Sequence, residues 1–252
     1  MKDELGCGFI QGAGELHPDE QDKRGSDDKD WGMQGKLIVF EGVEGSGKTT
    51  QMQRARDWLV GRMKAESPTF PQVAITREPG GTELGKALRR LLLEGTLTHP
   101  IQDRAELLLY AADRAQHVEE VLKPTLAAGG IILCDRYTDS TIAYQGYGRG
   151  LSLSLIEKIC QMATDGLESD LTLWLDVDVE MGLARAKARG AADRMEQADL
   201  AFHQRVQQGF RALAAAHPQR IVRVDGSGTE AEVQAQIQAI LTQRFREWSL
   251  EN

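Results

Sequence analysis

The residues with the clearest chemical signature form a glycine-rich segment that ends in lysine and threonine. Gly42-Val-Glu-Gly-Ser-Gly-Lys-Thr49 matches the pattern G-x-x-x-x-G-K-[ST] at every fixed position. Glycines let the backbone turn tightly, so that several N–H groups point at phosphate oxygens. The lysine of such a segment reaches the terminal phosphates, and the hydroxyl that follows it binds Mg²⁺. We therefore predict a nucleoside triphosphate site built by Gly42, Val43, Glu44, Gly45, Ser46, Gly47, Lys48 and Thr49.

The segments on either side are those that a phosphate-binding loop requires. Lys36–Glu41 is a short apolar run that predicts a buried strand, and residues 48–63 have apolar side chains at helical spacing. The helix N-terminus adds partial positive charge beside the phosphates. A glycine turn that only joined a strand to a helix would not need all the fixed residues of the pattern in addition to this strand and helix. The loop alone does not distinguish kinases from switches or ATPases.

The rest of the chain alternates short apolar runs with longer stretches at helical spacing. Parallel strands that are joined by helices bury both faces of one sheet. We predict an α/β fold of the P-loop NTPase type, with a doubly wound, five-stranded parallel sheet flanked by helices. The other predicted strands are 72–76, 130–134, 171–177 and 220–224, and the other predicted helices are 83–93, 103–127, 152–164, 179–189, 193–216 and 230–246.

The composition narrows the classes of partner. A net charge of −8 does not favour binding to nucleic acid or to an anionic membrane, and no run of 18 apolar residues exists to span a bilayer. The three cysteines are far apart and form no CxxC pair, which argues against a disulfide framework or a zinc site. We therefore expect a cytoplasmic protein with no nucleic-acid or membrane partner.

The first 35 residues differ from the remainder. Residues 1–35 hold nine acidic and four basic side chains with seven glycines, and they show no helical or strand period. Such a segment has too little apolar surface to fold. We expect residues 1–35 to be a disordered, dispensable extension and residues 36–252 to be one domain.

Three more segments contain residues suited to binding anions. Residues 77–82 (REPGGT) follow the second predicted strand, and residues 135–137 (DRY) follow the third. Ligands in open α/β sheets bind beyond the carboxyl ends of strands, so both segments should face the phosphate loop. The third segment, 185–194, is rich in cations, and its Arg185 and Arg189 share one helix face.

Taken together, these segments resemble the thymidylate kinase family of the bacterial type. The order and spacing of the strings carry the resemblance, which runs from about Met33 to the last helix. It implies ATP-dependent phosphorylation of dTMP to dTDP by direct in-line transfer with Mg²⁺, and a homodimer. The strings are EGVEGSGKTT at 41–50, REPGGT at 77–82, LLLYAADRAQH at 107–117, DRYTDSTIAYQG at 135–146, the basic segment 185–194 and VDGSGT at 224–229.

The resemblance also assigns roles to residues. Glu44 matches an acid near the acceptor sugar and the metal, and Asp135 matches an acid that holds Mg²⁺ through water beside Thr49. Arg136 matches an arginine that grips the acceptor phosphate during catalysis. The matched dTMP-binding residues are Arg77, Tyr110, Arg114, Arg136, Thr141, Tyr144 and Gln145, and the matched catalytic residues are Lys48, Glu44, Arg136, Arg185, Arg189 and Arg194.

One departure concerns the source of catalytic positive charge. Some members of the family carry an arginine inside the loop, where this chain has Gly45. We expect a basic lid at about 182–196 to supply that charge instead, with Arg189 as the dominant arginine. We also expect an arginine placed at Gly45 to compensate partly for a defective lid, given room for the side chain.

Several alternatives stay open at this point. The acceptor could be a nucleoside or a different monophosphate, or the protein could be a nucleotide-dependent switch or regulatory ATPase with no acceptor. Arg77 could be the surface ion-pair partner of Glu78, Tyr110 could be a core residue, and the cations at 185–194 could form a solvated helix face.

Overall fold

A computed structural model describes residues 35–66, 71–94, 98–188, 190 and 194–250. Its five strands are all parallel and lie in the order β2-β3-β1-β4-β5, which confirms the predicted doubly wound sheet. The sheet has β1 at its centre, so the phosphate loop leaves from the middle of the edge formed by the carboxyl ends. The strands are β1 Lys36–Glu41, β2 Val73–Arg77, β3 Ile131–Asp135, β4 Leu171–Asp176 and β5 Ile221–Asp225.

Helices cover both faces of the sheet. In β1, Ile38 and Phe40 belong to a core formed with the first and last helices, whereas Leu37 and Val39 belong to a core on the opposite face. All four side chains are fully buried, which explains the unbroken apolar run in the sequence. The helices are α1 Lys48–Glu66, α2 Glu83–Leu93, α3 Asp103–His117, α4 Lys123–Ala127, α5 Thr138–Thr141, α6 Leu153–Thr164, α7 Val179–Ala188, α8 Leu200–Ala216 and α9 Glu230–Leu250.

Two of the three corrections to the predicted helices concern π-helical turns. The helix predicted for 103–127 contains a π-helical turn, Val118–Leu122, between α3 and α4. A second π-helical turn, Ile142–Gly148, follows α5 in a segment where we predicted no helix. Such turns depend on local hydrogen bonds that apolar spacing does not encode.

The helix predicted to begin at residue 193 begins instead at Leu200. Asp199 is its N-cap, because the side chain accepts a hydrogen bond of 2.7 Å from the Phe202 N–H. Of the predicted extension 1–35, only Gly35 lies within the described residues. Among the described helices, none combines the length and apolar character that a bilayer crossing demands.

The N-cap of α8 generates the first prediction. Asp199→Ala should lower the free energy of unfolding by about 1 kcal/mol, because one N–H of the first turn loses its acceptor. Urea denaturation followed by circular dichroism measures the change. Asp199→Asn, which keeps a capping oxygen, should stay close to the parent protein. Equal losses in both variants would mean that the carboxylate acts in some other way.

Candidate active site

The phosphate loop joins β1 to α1 and is shaped by three glycines. Gly42, Gly45 and Gly47 have φ values of 143°, 68° and 91°, in the region that glycine adopts most easily. Lys48 Nζ donates to the carbonyl oxygens of Gly42 and Val43, at 3.0 Å each. Burial and the positive charge of Arg136 lower the pKa of Lys48 to about 8.

The next residue of the loop faces an acid at the end of a neighbouring strand. Thr49 Oγ1 lies 3.4 Å from Asp135 Oδ2, at the C-terminus of β3. The other carboxylate oxygen, Asp135 Oδ1, is buried and has no hydrogen-bond partner within the described residues. A hydroxyl beside an unpaired carboxylate oxygen suits a hard divalent cation. The described residues hold no cluster of three or more His, Cys, Asp or Glu side chains that could bind a metal alone.

One cavity of about 210 Å³ brings the loop together with the predicted acceptor residues. Its wall on one side is the phosphate loop from Glu44 to Thr50, with Asp135 beside it. All seven residues that we predicted to bind the acceptor line the same cavity: Arg77, Tyr110, Arg114, Arg136, Thr141, Tyr144 and Gln145.

Arg136 lies at the junction of these two groups. Its φ of 73° is unusual for a residue with a side chain, and its N–H donates to the Phe40 carbonyl at 3.0 Å. One guanidinium nitrogen donates to Glu44 Oε1 at 3.2 Å and to the Tyr144 hydroxyl at 2.9 Å. The strained backbone and these side-chain contacts together place the guanidinium over the loop.

Glu44 is a buried carboxylate held by several donors. The Tyr144 hydroxyl donates to its Oε1 at 2.6 Å, and Nδ1 of His203 lies 3.2 Å from its Oε2. Burial by itself raises the pKa of Glu44. The His203 ring, the charges of Arg136 and Lys48 and the Tyr144 hydroxyl together outweigh that effect and lower the pKa to about 2.

Sequence reasoning missed Glu41, the last residue of β1. Its fully buried carboxylate accepts hydrogen bonds from the backbone N–H groups of Tyr137 and Ser140, at 2.9 and 3.1 Å, and from the Ser140 hydroxyl at 2.6 Å. Burial raises its pKa to about 7, although Arg136 at 3.8 Å opposes the shift. The one signal in the sequence was a charge that ends an apolar strand beside the phosphate loop.

Glu78 was also missed, and it corrects one interpretation. Its carboxylate binds Arg114 Nε at 2.7 Å and His117 Nδ1 at 2.8 Å, and it is buried. Glu78 is therefore not a surface ion-pair partner of Arg77, which is exposed. Arg114 also donates to Thr141 Oγ1 at 2.9 Å, so its guanidinium is fixed at the cavity wall.

The arginines of the basic segment 185–194 that the structure describes make contacts away from the cavity. Arg185 donates to the Gly226 carbonyl at 3.1 Å, in the 224–229 segment, and Arg194 binds the Leu92 carbonyl and the buried Glu106. Neither arginine lines the cavity that the described residues form. Arg189 lies outside the described residues. The structure therefore brings the loop and the acceptor residues together, but not Arg185 and Arg194.

The family is decided by comparison with known proteins. The model of the family described as Thymidylate kinase matches residues 40–237. The chain belongs to the thymidylate kinase family. As a member it is an enzyme, a nucleoside monophosphate kinase.

Relatives and a solved structure agree with this assignment. A thymidylate kinase of Cyanothece sp. is 60% identical over 227 residues, which cover 86% of this chain and 97% of that protein. One of Nostoc punctiforme is 63% identical over 210 residues, covering 83% and 96%. The crystal structure of thymidylate kinase from Ehrlichia chaffeensis has a TM-score of 0.67 at 32% identity, covering 82% of this chain and 98% of that one.

The arginine that some thymidylate kinases carry inside the loop has no room in this chain. A Cβ atom at Gly45 would lie 1.9 Å from the carbonyl oxygen of Gly182 in α7, and Gly45 has a positive φ. A Cβ at Gly182 would in turn lie 2.5 Å from the Glu44 carbonyl. Our expectation that an arginine at Gly45 compensates for a defective lid is therefore wrong on steric grounds.

This contact generates the second prediction. Gly45→Ala should lower the free energy of unfolding by roughly 2 kcal/mol or more and weaken ATP binding, because the backbone contact with α7 must open. Gly61→Ala is the matched control, since Gly61 is exposed in α1 with nothing within 4 Å of its would-be Cβ. That change should raise stability by up to about 1 kcal/mol. Similar behaviour of both variants in urea denaturation would contradict the steric account.

The third prediction follows from the lowered pKa of Glu44. A carboxylate whose pKa falls from 4.5 to about 2 on folding adds stability that is complete above pH 4.5 and is lost as the pH falls through 2. The contribution is about 3 kcal/mol at most. Urea denaturation between pH 6 and pH 3 should therefore give a shallower acid loss for Glu44→Gln than for the parent. Identical pH dependence would show that Glu44 is not stabilised as an anion.

Proposed function

We propose that the protein transfers the γ-phosphoryl group of ATP to dTMP, giving ADP and dTDP by direct in-line displacement. The observation that carries the proposal is the single cavity that the phosphate loop shares with all seven predicted acceptor residues. In-line transfer requires donor and acceptor phosphates to meet end to end. The phosphate loop and Arg136 line the same cavity, which supports that arrangement.

On the donor side, the loop binds the ATP phosphates through backbone N–H groups and Lys48. We propose that Lys48 Nζ, which lies on the loop's own carbonyl oxygens, turns from them towards the β- and γ-phosphates of ATP. Thr49 and Asp135 are the residues that would hold Mg²⁺, which neutralises phosphate charge when it is bound. The unpaired Asp135 Oδ1 supports this assignment.

On the acceptor side, we propose that Arg136 and Arg77 bind the dTMP phosphate. Tyr110 then stacks on thymine, and Arg114, which is held rigidly by Glu78, donates to the base edge. We propose that Thr141, Tyr144 and Gln145 contact the base and exclude a ribose 2′-hydroxyl. Glu44 would lie near the acceptor sugar, and its place in the cavity lining supports this role. Arg136 must exchange part of its contact with Glu44 for the phosphate.

The remaining proposals come from the family resemblance. We propose that a lid at about 182–196 brings positive charge to the moving phosphoryl group, with Arg189 as the main contributor. Arg185 and Arg194 have structural contacts in this structure and would have to leave them to take part. We also propose that the enzyme is a cytoplasmic homodimer. Analytical ultracentrifugation at the concentration used for the assays measures the mass of the assembly and so tests whether it is a dimer.

An acceptor panel tests the proposed reaction. With ATP and Mg²⁺, ADP release should be fast with dTMP and much slower with dUMP, AMP, CMP or thymidine. Lys48→Ala should abolish transfer with its fold retained, because contacts to the moving phosphoryl group contribute several kcal/mol in the transition state. Preference for another acceptor would support a different kinase, and ADP release that ignores every acceptor would support a switch or ATPase.

The lid proposal has its own prediction. Arg189→Ala should lower kcat by roughly tenfold or more while changing the KM for dTMP little, because the contact forms mainly in the transition state. Lys187→Ala, a neighbouring cation with no assigned role, is the control. A normal kcat in Arg189→Ala would leave the transfer to Lys48, Mg²⁺ and the acceptor arginines.

A further inference from the structure

His203 is a buried histidine behind the phosphate loop that no step above uses. It lies in the first turn of α8, and its exposed fraction is 0%. Within the described part of the chain, neither ring nitrogen has a hydrogen-bond partner of good geometry. Buried polar atoms are nearly always paired, so an unpaired imidazole calls for an explanation.

The nearest polar group to this ring belongs to the active site. His203 Nδ1 lies 3.2 Å from Glu44 Oε2, and among the described residues Oε2 also has no well-aligned donor. The other oxygen, Oε1, already accepts from Arg136 and Tyr144. The two unpaired atoms therefore face each other, at a distance where a small rotation completes a hydrogen bond.

The surrounding packing keeps the ring at this place. The ring of Phe202 meets that of His203 edge to face, with centroids 5.4 Å apart. Phe202 and Phe210 also contact the Tyr144 ring, each with centroids 6.2 Å apart. The Asp199 cap fixes the start of the helix. Because these groups belong to one core, His203 cannot move away from Glu44 without disturbing the cavity wall.

The groups that pair with the Glu44 carboxylate would change when the acceptor binds. Arg136 pairs with the buried carboxylate at 3.2 Å. An acceptor phosphate competes for the same guanidinium, and a buried carboxylate that loses a cation becomes costly unless another donor remains. His203 Nδ1 lies where it can donate to Glu44. It carries a hydrogen in the neutral tautomer protonated at Nδ1 and also in the imidazolium form.

We propose that His203 is a positioning residue that holds Glu44 in its ionised, sugar-facing orientation while Arg136 binds the acceptor phosphate. It is not a catalytic residue, because it does not line the cavity formed by the described residues. The inference rests on the proposed function, since it assumes a monophosphate acceptor that competes for Arg136.

Four variants test the role. His203→Phe keeps a ring of similar size and removes the donor, whereas His203→Asn places an amide N–H close to the position of Nδ1. Glu44→Gln/His203→Phe, compared with Glu44→Gln, reports whether the two residues act through each other. The measurements are kcat and KM for dTMP and for ATP, with the melting temperature of each protein. Parent protein in the same assay tests the proposed function separately.

With an active parent, His203→Phe should lower kcat/KM for dTMP by about tenfold or more, the size of one charge-assisted hydrogen bond. The KM for ATP should change little, His203→Asn should regain most of the loss, and the double variant should match Glu44→Gln. Normal kinetics in His203→Phe would overturn the proposal. So would equal effects on both substrates with no recovery in His203→Asn, or losses that simply add to those of Glu44→Gln. If His203→Phe does not fold, His203→Leu can take its place as the variant without a donor, and its kinetics are then compared with those of His203→Asn.

Discussion

The site depends on one guanidinium held between two buried carboxylates. Arg136 lies 3.2 Å from Glu44 and 3.8 Å from Glu41, on a backbone with positive φ that follows β3 directly. Glu41 in turn ties the segment after β3 to the end of β1 through Tyr137 and Ser140. The central strands, the phosphate loop and the acceptor wall are thereby joined through a few charge-assisted hydrogen bonds.

Three cations of the site are paired with oxygen atoms of the protein itself. Lys48 donates a hydrogen bond to a carbonyl oxygen of the loop. Arg136 forms an ion pair with Glu44, and Arg114 forms one with Glu78. In a chain with net charge −8, such pairing gives each cation a fixed place and avoids a buried uncompensated charge. For Lys48 and Arg136, substrate phosphates would then replace protein oxygens as partners, whereas Arg114 keeps Glu78 and binds the base. Binding is therefore an exchange of partners whose net gain is modest. In our proposal, His203 gives the buried Glu44 carboxylate a hydrogen-bond donor when Arg136 turns to the phosphate, so that this charge also stays paired.

Much of this arrangement could be predicted from the sequence. The five parallel strands follow from short apolar runs between helical stretches, and the loop follows from fixed glycines with Lys48 and Thr49. Parallel strands align their carboxyl ends, so motifs after β2 and β3 had to meet the loop. The resemblance then supplied Tyr110, Arg114, Thr141, Tyr144 and Gln145, all of which line the cavity.

What could not be predicted depends on contacts between distant residues. Glu41 and Glu78 look like ordinary acids until tertiary packing buries them beside Arg136 and Arg114. The clash at Gly45 depends on a carbonyl of α7, more than 130 residues away in the chain. The π-helical turns and the late start of α8 depend on local hydrogen bonds rather than on apolar period.

Calorimetry of dTMP binding can detect the exchange of partners that we propose at Arg136. Glu41 has a pKa of about 7, so at pH 7 it is partly protonated. An incoming phosphate brings negative charge and draws Arg136 away, and both effects raise the pKa of Glu41 further. Titration in two buffers of different ionisation enthalpy should therefore show that the parent takes up more protons per dTMP bound than Glu41→Gln, which has no carboxyl group to protonate at this position. Equal proton uptake by the two proteins would mean that Arg136 keeps its carboxylate partners when dTMP binds.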